Sequence, residues 1–344
     1  MSLPDILMTP DPPTTLEMMP SNGFPLTNVG AAGPGTTGLA AVAASFGRDV
    51  AVNLAQIEDL VGTARAAGAG LLALPEACLG GYLSVLGAGR DGAHDQSPDS
   101  LPPVMDADGP ELARIAAVAR EMVLVVGFCE SDGTSRFNSA ALVSGEGVLG
   151  IHRKVHQPLG ESLHYDAGDG FHAVDTPVGR VGTLICYDKA FPEAARTLAL
   201  DGAEVIACIS AWPASRTASA GSLADDRWTQ RFTIFDQARA LENQVVWVAS
   251  NQTGTFGSLR FVANAKVVGP GGDVLATTGT APGLALAHVH VADVLGTARR
   301  SMFHLRDRRP DAYEPGDLLA RAPGPAPTPR SRPKPCGGGS PCLR

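Results

Sequence analysis

The sequence lacks the features that would place the protein in a membrane, outside the cell or on a nucleic acid. It has no run of about 18 apolar residues, so we predict no membrane-spanning helix. No Lys or Arg precedes Arg48, and without a positively charged start we predict no secretory signal peptide. The net charge of −8 at pH 7 argues against a nucleic-acid partner.

Cysteine is scarce for a chain of this length. Six cysteines among 344 residues do not make the disulfide framework of a small secreted domain. Four lie in or beside apolar runs, as reduced cytoplasmic thiols often do: Cys78, Cys129, Cys186 and Cys208. The pair Cys336 and Cys342 flanks Gly-Gly-Gly-Ser-Pro without further ligands for zinc, and we assign it no role. We therefore predict a cytoplasmic protein without a metal.

Both ends of the chain lack the apolar periodicity of helices and strands. Residues 1–37 contain seven prolines and four glycines, and we predict a disordered N-terminal extension. Gly33-Pro-Gly35-Thr-Thr-Gly38 matches the G-x-G-x-x-G pattern of dinucleotide sites, but Pro-rich chain precedes it, and we interpret it as a linker. Residues 316–344 are predicted to be a disordered, Pro/Gly-rich basic tail. One domain over residues 38–315 remains.

Helical and strand patterns alternate within that domain. Val50, Leu54, Ile57 and Val61 recur at helical spacing and predict a helix over residues 49–66. A second helix is predicted over 110–121, and apolar runs predict strands at 39–46, 71–75, 122–129, 139–144, 147–153, 181–185, 204–210, 244–250, 259–268 and 284–291. This alternation predicts an α/β layered fold.

Cys186 stands where a strand pattern changes into a helix pattern. Val181 to Ile185 is a short apolar run, and Phe191-Pro-Glu193 opens a helical pattern with Pro and an acid. A turn there is expected to expose the sulfur, and the helix dipole to favour its thiolate. The alternative is that Cys186 is a small hydrophobic residue of the core. On this stretch alone both interpretations stay open.

Two further polar residues stand at predicted strand ends, Glu76 and Lys154. Strand ends of α/β sheets are where such proteins tend to place their chemistry. A thiol nucleophile needs a base and a group that stabilises an oxyanion, which Glu76 and Lys154 could supply. Taken singly, Glu76 could instead be a helix N-cap partner and Lys154 a surface charge.

Three segments together resemble the nitrilase superfamily of carbon–nitrogen hydrolases: Leu74-Pro-Glu76, His152-Arg-Lys154-Val-His156 and Leu184-Ile-Cys186-Tyr-Asp-Lys-Ala-Phe-Pro-Glu193. The resemblance covers residues 39–315 and includes all three catalytic motifs. It implies an α-β-β-α sandwich, usually paired with a second subunit through the helices that flank the sheets. A homodimer or higher homo-oligomer is therefore expected.

The resemblance also implies a Glu–Lys–Cys triad without metal or organic cofactor. Cys186 would attack the carbon of an amide, carbamoyl or nitrile group, and Glu76 would carry protons. Lys154 and the backbone N–H of Tyr187 would stabilise the oxyanion of the tetrahedral intermediate. Glu161 fits the place of a second glutamate that the family often has beyond the lysine.

We expect an amidase or N-carbamoyl amide hydrolase that releases ammonia. After the nucleophile the chain has Tyr187-Asp188, where true nitrilases of the family usually have Trp-Glu, so a nitrilase is the alternative. A Cys–His hydrolase using His152, His156 or His164 is a rival, and so is a non-catalytic scaffold on the same fold. The sequence does not identify the substrate.

Overall fold

The computed structural model of the protein describes residues 16–18, 24–86 and 101–313. The helices are α1 (Val50–Ala66), α2 (Pro110–Ala119), α3 (Pro192–Leu200), α4 (Arg227–Asn243), α5 (Val291–Ser301) and α6 (Pro310–Tyr313). The strands are β1 (Leu16–Met18), β2 (Leu26–Val29), β3 (Thr37–Ala44), β4 (Leu71–Ala73), β5 (Val104–Met105), β6 (Val123–Ser131), β7 (Arg136–Ser144), β8 (Gly147–Arg153), β9 (Ala173–Thr176), β10 (Gly179–Ile185), β11 (Val205–Ile209), β12 (Val246–Ala249), β13 (Asn251–Gln252), β14 (Thr255–Phe256), β15 (Leu259–Arg260), β16 (Lys266–Val268), β17 (Val274–Thr277) and β18 (Gly283–Val289). Short 3-10 turns occupy Glu161–Leu163 and Cys186–Ala190.

The first of two large sheets has the order β1-β2-β18-β3-β4-β6-β7-β8, with β13 beside β3 and β5 beside β6. Strands β3, β4 and β6 run parallel. Strand β7 is antiparallel to β6, and β8 is antiparallel to β7, so β8 points the same way as β4. The residues that follow β4 and β8 therefore leave the sheet at the same edge.

The second sheet has the order β17-β16-β12-β11-β10-β9. Its central strands β10, β11 and β12 are parallel, β9 and β16 pair antiparallel to them on either side, and β17 pairs antiparallel to β16. The backbone N–H of Glu76, just after β4, donates to the carbonyl of Ser210, just after β11, at 3.3 Å. The carboxyl ends of the central strands of both sheets therefore meet.

Alternation along β3 shows how the layers stack. Leu39, Ala41 and Ala43 pack against the second sheet, whereas the intervening residues pack with α1 and α2. Leu198 of α3 and Phe232 of α4 join the core of the second sheet. The molecule is an α-β-β-α sandwich, as predicted. Burial of both sheet faces explains why these strands read as continuous apolar runs.

Strand β2 lies inside the range predicted to be a disordered extension. Leu26–Val29 pairs in parallel with β18, and Leu26 is buried. The prediction of disorder over residues 1–37 is therefore wrong for residues 26–29, and also for residues 16–18, which form β1 and pair antiparallel with β2. Four residues between Pro25 and Gly30 are too few to show a strand period, and their pairing partner lies near the other end of the chain. Residues 1–15 and 19–23 of that range lie outside the described residues.

The strand predicted over residues 259–268 is two strands, β15 and β16. Ala263 and Asn264 between them have φ angles of 56° and 66°. This left-handed backbone does not continue a strand, and no apolar pattern reveals it. The interruption brings Lys266 into the interior, where its side chain is 1% exposed.

Residues 306–313 belong to a second, separate unit of the chain that contains α6. Within it, the Arg309 guanidinium pairs with the Asp311 carboxylate at 3.0 Å. The tail predicted over residues 316–344 lies outside the described residues.

Candidate active site

Glu76, Lys154 and Cys186 each follow a strand that ends at the same edge of the sandwich. Glu76 comes after β4, Lys154 directly after β8 and Cys186 directly after β10. The Lys154 N–H donates to the Asn138 carbonyl at 2.8 Å and so continues the pairing of β8 with β7. The sandwich thus brings together three residues that are far apart in the sequence.

The Glu76 carboxylate is fully buried and accepts hydrogen bonds on both oxygens. Oε1 accepts from Lys154 Nζ at 2.8 Å and from Asn138 Nδ2 at 2.7 Å, and Oε2 accepts from the Ala211 N–H at 2.6 Å. At Gly127 a Cβ would lie 2.3 Å from the nitrogen of the residue after Glu76, so only glycine lets β6 pass this segment. The carboxylate is therefore held in one orientation.

Lys154 bridges Glu76 to the predicted second glutamate, Glu161. Its Nζ lies 2.8 Å from Glu161 Oε2, and all three side chains are fully buried. Burial lowers the pKa of Lys154, but the charges of Glu161 and Glu76 outweigh it and hold that pKa well above its ordinary value. The Tyr82 hydroxyl donates to Glu161.

The pKa of the second glutamate, Glu161, is also shifted by its surroundings. Burial raises its pKa to about 7, against the opposing effect of the Lys154 ammonium. A carboxyl group with this pKa is present in both protonation states at neutral pH. Such a group is suited to holding or passing a proton during a reaction.

Cys186 begins the 3-10 turn and has a φ of 49°, a left-handed conformation that is uncommon for a residue other than glycine. Its side chain lines a cavity of about 130 Å³ with Tyr82, Tyr187, Trp212 and others. The residue is only 4% exposed. Burial raises the pKa of the thiol, the Glu76 charge raises it further and Lys154 opposes them; the net pKa lies well above the ordinary value.

The prediction of an exposed sulfur favoured as a thiolate is therefore wrong, although the turn position is correct. Helix α3 begins only at Pro192, beyond the 3-10 turn, and a helix dipole falls off within about one turn. The effect of burial, which raises the pKa of the Cys186 thiol, outweighs any effect of the helix dipole, which would lower that pKa. The thiol keeps its proton at neutral pH and needs a base to become a nucleophile.

Asp188 connects the turn of Cys186 to the segment that carries Lys154. One oxygen accepts the Ile185 N–H at 3.1 Å and lies 3.1 Å from His152 Nε2. The other accepts the His156 N–H at 2.9 Å and lies 2.9 Å from its Nδ1. Burial raises the pKa of Asp188, but these hydrogen bonds outweigh it and lower that pKa well below its ordinary value. His152 and His156 are therefore both engaged with Asp188, which argues against the hypothesis that either one is the base of a Cys–His hydrolase.

Sequence reasoning missed three groups that complete the site. Asn138 and the Ala211 N–H bind Glu76, and Tyr82 binds Glu161. Asn138 carried a usable signal, because a polar side chain inside an apolar strand must find a buried partner. The Ala211 N–H carried none, since a backbone donor leaves no trace in residue type.

A second, larger cavity of about 670 Å³ adjoins the cavity of Cys186, and Leu159, Pro213 and Trp228 line both. Within residues 16–18, 24–86 and 101–313, no group of three or more His, Cys, Asp or Glu side chains could hold a metal ion. Over the same residues, no helix is both long and apolar enough to cross a membrane.

The fold and this site define a class of protein: an α-β-β-α sandwich with a buried cysteine thiol and a buried Glu–Lys pair that acts on its pKa. Residues 38–299 match the sequence model of the carbon-nitrogen hydrolase family. The chain belongs to that family and is a carbon-nitrogen hydrolase. The resemblance to the nitrilase superfamily is confirmed.

Individual relatives agree with this assignment. An N-carbamoylputrescine amidase of Arabidopsis thaliana is 31% identical over 282 residues, covering 77% of this chain and 90% of the relative. A nitrilase of Pyrococcus abyssi is 32% identical over 226 residues, covering 65% of this chain and 77% of the relative. A variant of the amidase from Nesterenkonia sp. AN1, with the acetamide moiety of fluoroacetamide added covalently at its active-site cysteine, matches with a TM-score of 0.63 at 25% identity. That match covers 83% of this chain and 98% of the amidase.

Proposed function

We propose that this enzyme hydrolyses an amide or N-carbamoyl amide through a thioester on Cys186, with Glu76 and Lys154 completing the triad. One observation carries the proposal: the buried Glu76 carboxylate and Lys154 ammonium, 2.8 Å apart, both act on the pKa of the cavity-lining Cys186 thiol. The Nesterenkonia amidase supports a cysteine nucleophile, since its active-site cysteine carries the covalent acetamide.

In the proposed first step, the Cys186 sulfur bonds to the carbonyl carbon while the thiol proton passes to Glu76. The carbonyl electrons move to oxygen, where Lys154 and the Tyr187 N–H stabilise the negative charge. The C–N bond then breaks, Glu76 gives its proton to the nitrogen, and ammonia leaves. A thiol kept protonated by burial explains why the site places a carboxylate base beside it.

In the second step, water adds to the thioester carbon as Glu76 removes one of its protons. The C–S bond breaks, the proton returns to the Cys186 thiolate, and the acid is released. An N-carbamoyl substrate gives a carbamic acid, which then loses carbon dioxide. Glu161, with a pKa of about 7, assists by taking up or releasing a proton of its own, which offsets the change of charge on Glu76 beside Lys154.

The second candidate function is that of a nitrilase, favoured by the Pyrococcus abyssi relative. A nitrile has no leaving amine until water has added, whereas an amide must expel nitrogen from the first adduct. The buried proton carriers Glu76 and Glu161 suit the amide reaction better. The match to the carbon-nitrogen hydrolase family argues against a non-catalytic scaffold, which would show no activity-linked alkylation of Cys186.

A homodimer and a cytoplasmic location remain predictions. Leu200 on α3 and Ile234 and Leu241 on α4 are apolar and at least 46% exposed, on the helices that cover the second sheet. Such side chains support pairing of two subunits through these helices. Light scattering of the purified protein measures the assembly state.

Ammonia and carbon dioxide release from a panel of amides, N-carbamoyl compounds and nitriles tests the proposed function. We expect ammonia from amides or carbamoyl compounds, with carbon dioxide only from the latter. Cys186→Ala should remain folded and release neither. Turnover by folded Cys186→Ala would exclude the thioester, and hydrolysis of nitriles alone would replace the amidase assignment with the nitrilase one.

A further inference from the structure

The larger cavity beside the site is positioned to receive the part of the substrate that does not react. It measures about 670 Å³ and shares Leu159, Pro213 and Trp228 with the cavity of Cys186, which measures about 130 Å³. The smaller cavity has room for little more than the reacting group. The remainder of a longer substrate must therefore extend past the shared residues into the larger cavity.

Two arginines, Arg216 and Arg260, line this larger cavity. Arg216 Nη1 donates to the carbonyl of Leu86 at 2.5 Å, and Leu86 lines the cavity of Cys186. The Arg260 carbonyl accepts the Ala214 N–H at 2.7 Å, which ties the two arginine-bearing segments together. Both arginines thus line one wall of the larger cavity, and the Arg216 guanidinium contacts a residue that lines the cavity of Cys186.

Among the residues that the structure describes, Asp226 is the one acidic residue that lines the larger cavity, and its carboxylate is already engaged. Asp226 is 2% exposed and caps α4. Its oxygens accept the backbone N–H groups of Ser215 and Trp228. Among the described residues, neither Arg216 nor Arg260 forms an ion pair. The wall that Arg216 and Arg260 line therefore offers positive charge to a molecule bound in the larger cavity.

We propose that Arg216 and Arg260 bind a carboxylate at the far end of the substrate, so that the enzyme prefers amides or N-carbamoyl compounds of carboxylic acids. This proposal rests on the proposed function and narrows it to a substrate class. Arginine suits the role because its guanidinium can donate two parallel hydrogen bonds to a carboxylate. A preference for a carboxylate end would distinguish this enzyme from the relative named for N-carbamoylputrescine. The end of N-carbamoylputrescine far from its carbamoyl group is an ammonium.

A set of three amides of equal length tests the preference: glutaramate, pentanamide and 4-aminobutanamide. They differ only in an anionic, neutral or cationic end. We expect kcat/KM to be about tenfold higher for glutaramate than for pentanamide, and lowest for 4-aminobutanamide, because a hydrogen bond to a charged group is stronger than a neutral one. Equal values, or the reverse order, would overturn the proposal.

Variants assign the effect to the arginines. Arg216→Ala and Arg260→Ala should each lower kcat/KM for glutaramate about tenfold, mainly through KM, and leave pentanamide nearly unchanged. Arg227→Ala is the matched control, because Arg227 is exposed at the start of α4 and lines neither cavity. Arg216→Glu should shift the preference toward 4-aminobutanamide. An equal loss for all three amides in the Arg216 and Arg260 variants would contradict carboxylate recognition.

Binding separates this proposal from the proposed function. Calorimetry with Cys186→Ala measures the affinity for the same three amides without turnover. Tighter binding of glutaramate, lost in Cys186→Ala/Arg216→Ala, would support the carboxylate site even if no amide is hydrolysed by the unaltered enzyme. Indifferent binding by Cys186→Ala would reject the site even if amides are hydrolysed.

Discussion

Two buried charged clusters of opposite composition lie in this protein. The carboxylate-rich cluster places a lysine between two glutamates: Lys154, Glu76 and Glu161. The lysine-rich cluster places an aspartate between two lysines: Asp236, Lys189 and Lys266. In both, one central charge meets two of the opposite sign at 2.8 Å, and each cluster therefore carries an unbalanced charge when all its members are ionised.

The lysine-rich cluster is closed off by aromatic rings. Both lysine ammoniums lie over the Phe232 ring, Lys189 at 3.1 Å and Lys266 at 4.1 Å from its centre, and the Trp247 indole donates to Asp236 at 3.0 Å. Burial lowers the pKa of Lys266 to about 8, against the pull of the Asp236 carboxylate. Lys189 belongs to the same 3-10 turn as Cys186, so its ion pair with Asp236 holds that turn against the lysine-rich cluster.

The difference between the clusters is access. Burial moves one pKa toward neutrality in each, that of Glu161 to about 7 and that of Lys266 to about 8. No residue of either cluster itself lines the two cavities beside Cys186, but the carboxylate-rich cluster is hydrogen-bonded to two residues that line the cavity of Cys186, Tyr82 and Ala211. All three of its members act on the pKa of the Cys186 thiol, whereas only Lys189 of the lysine-rich cluster does so. A group with a shifted pKa can take part in catalysis when it acts on a site that a substrate can reach. A group with a shifted pKa elsewhere in the interior affects only the stability of the fold.

Glu76→Gln should have the largest effect, and it should fall on activity. The amide cannot accept a proton, so we expect kcat to fall about 10²–10⁴-fold. Lys154 keeps Glu161 as a partner, and the melting temperature should change little. Steady-state rates and thermal unfolding measure the two effects. Near-normal rates would remove Glu76 from the mechanism.

Asp236→Asn makes the same change of carboxylate to amide in the other cluster, and here stability should suffer. Two buried ammoniums lose their shared counter-ion, which we expect to cost about 3–5 kcal/mol of unfolding free energy. Denaturant unfolding measures this loss. The rate per folded molecule should stay within a few-fold of normal. Lost activity in a stable Asp236→Asn protein would place this cluster in the mechanism.

Lys266→Met should have the smallest effect, visible only as a change with pH. The folded pKa of about 8 lies below the ordinary value of 10.5, so between these values the unfolded chain binds more protons. Stability from this group is therefore present above pH 10.5 and lost as the pH falls through 8, by at most about 3 kcal/mol. The difference in unfolding free energy between Lys266→Met and the unaltered protein should change over this range. A constant difference would show that Lys266 is not titrating there.

The alternation of helical and strand patterns in the sequence predicts the layered α/β fold that the structure has. Helix α1 was expected over residues 49–66 and begins at Val50, because Asp49 caps it and the apolar spacing is local. Their places at the ends of apolar strand patterns make Glu76, Lys154 and Cys186 candidates, and the family resemblance predicts that the three act together. Glu161 was identified through the family resemblance, and the structure places it against Lys154.

The sequence by itself predicted Glu76, Lys154 and Cys186 as the catalytic residues, and it determined in what order the elements follow. Only the tertiary structure decided their surroundings: the buried thiol of Cys186, the Ala211 N–H on Glu76, strand β2 beside β18, and the lysine-rich cluster. The physical reason is how far apart in the sequence the interacting residues lie. Helix spacing, caps and strand runs depend on neighbours along the chain, whereas desolvation, backbone donors and pairing across a sheet depend on residues that folding alone brings together.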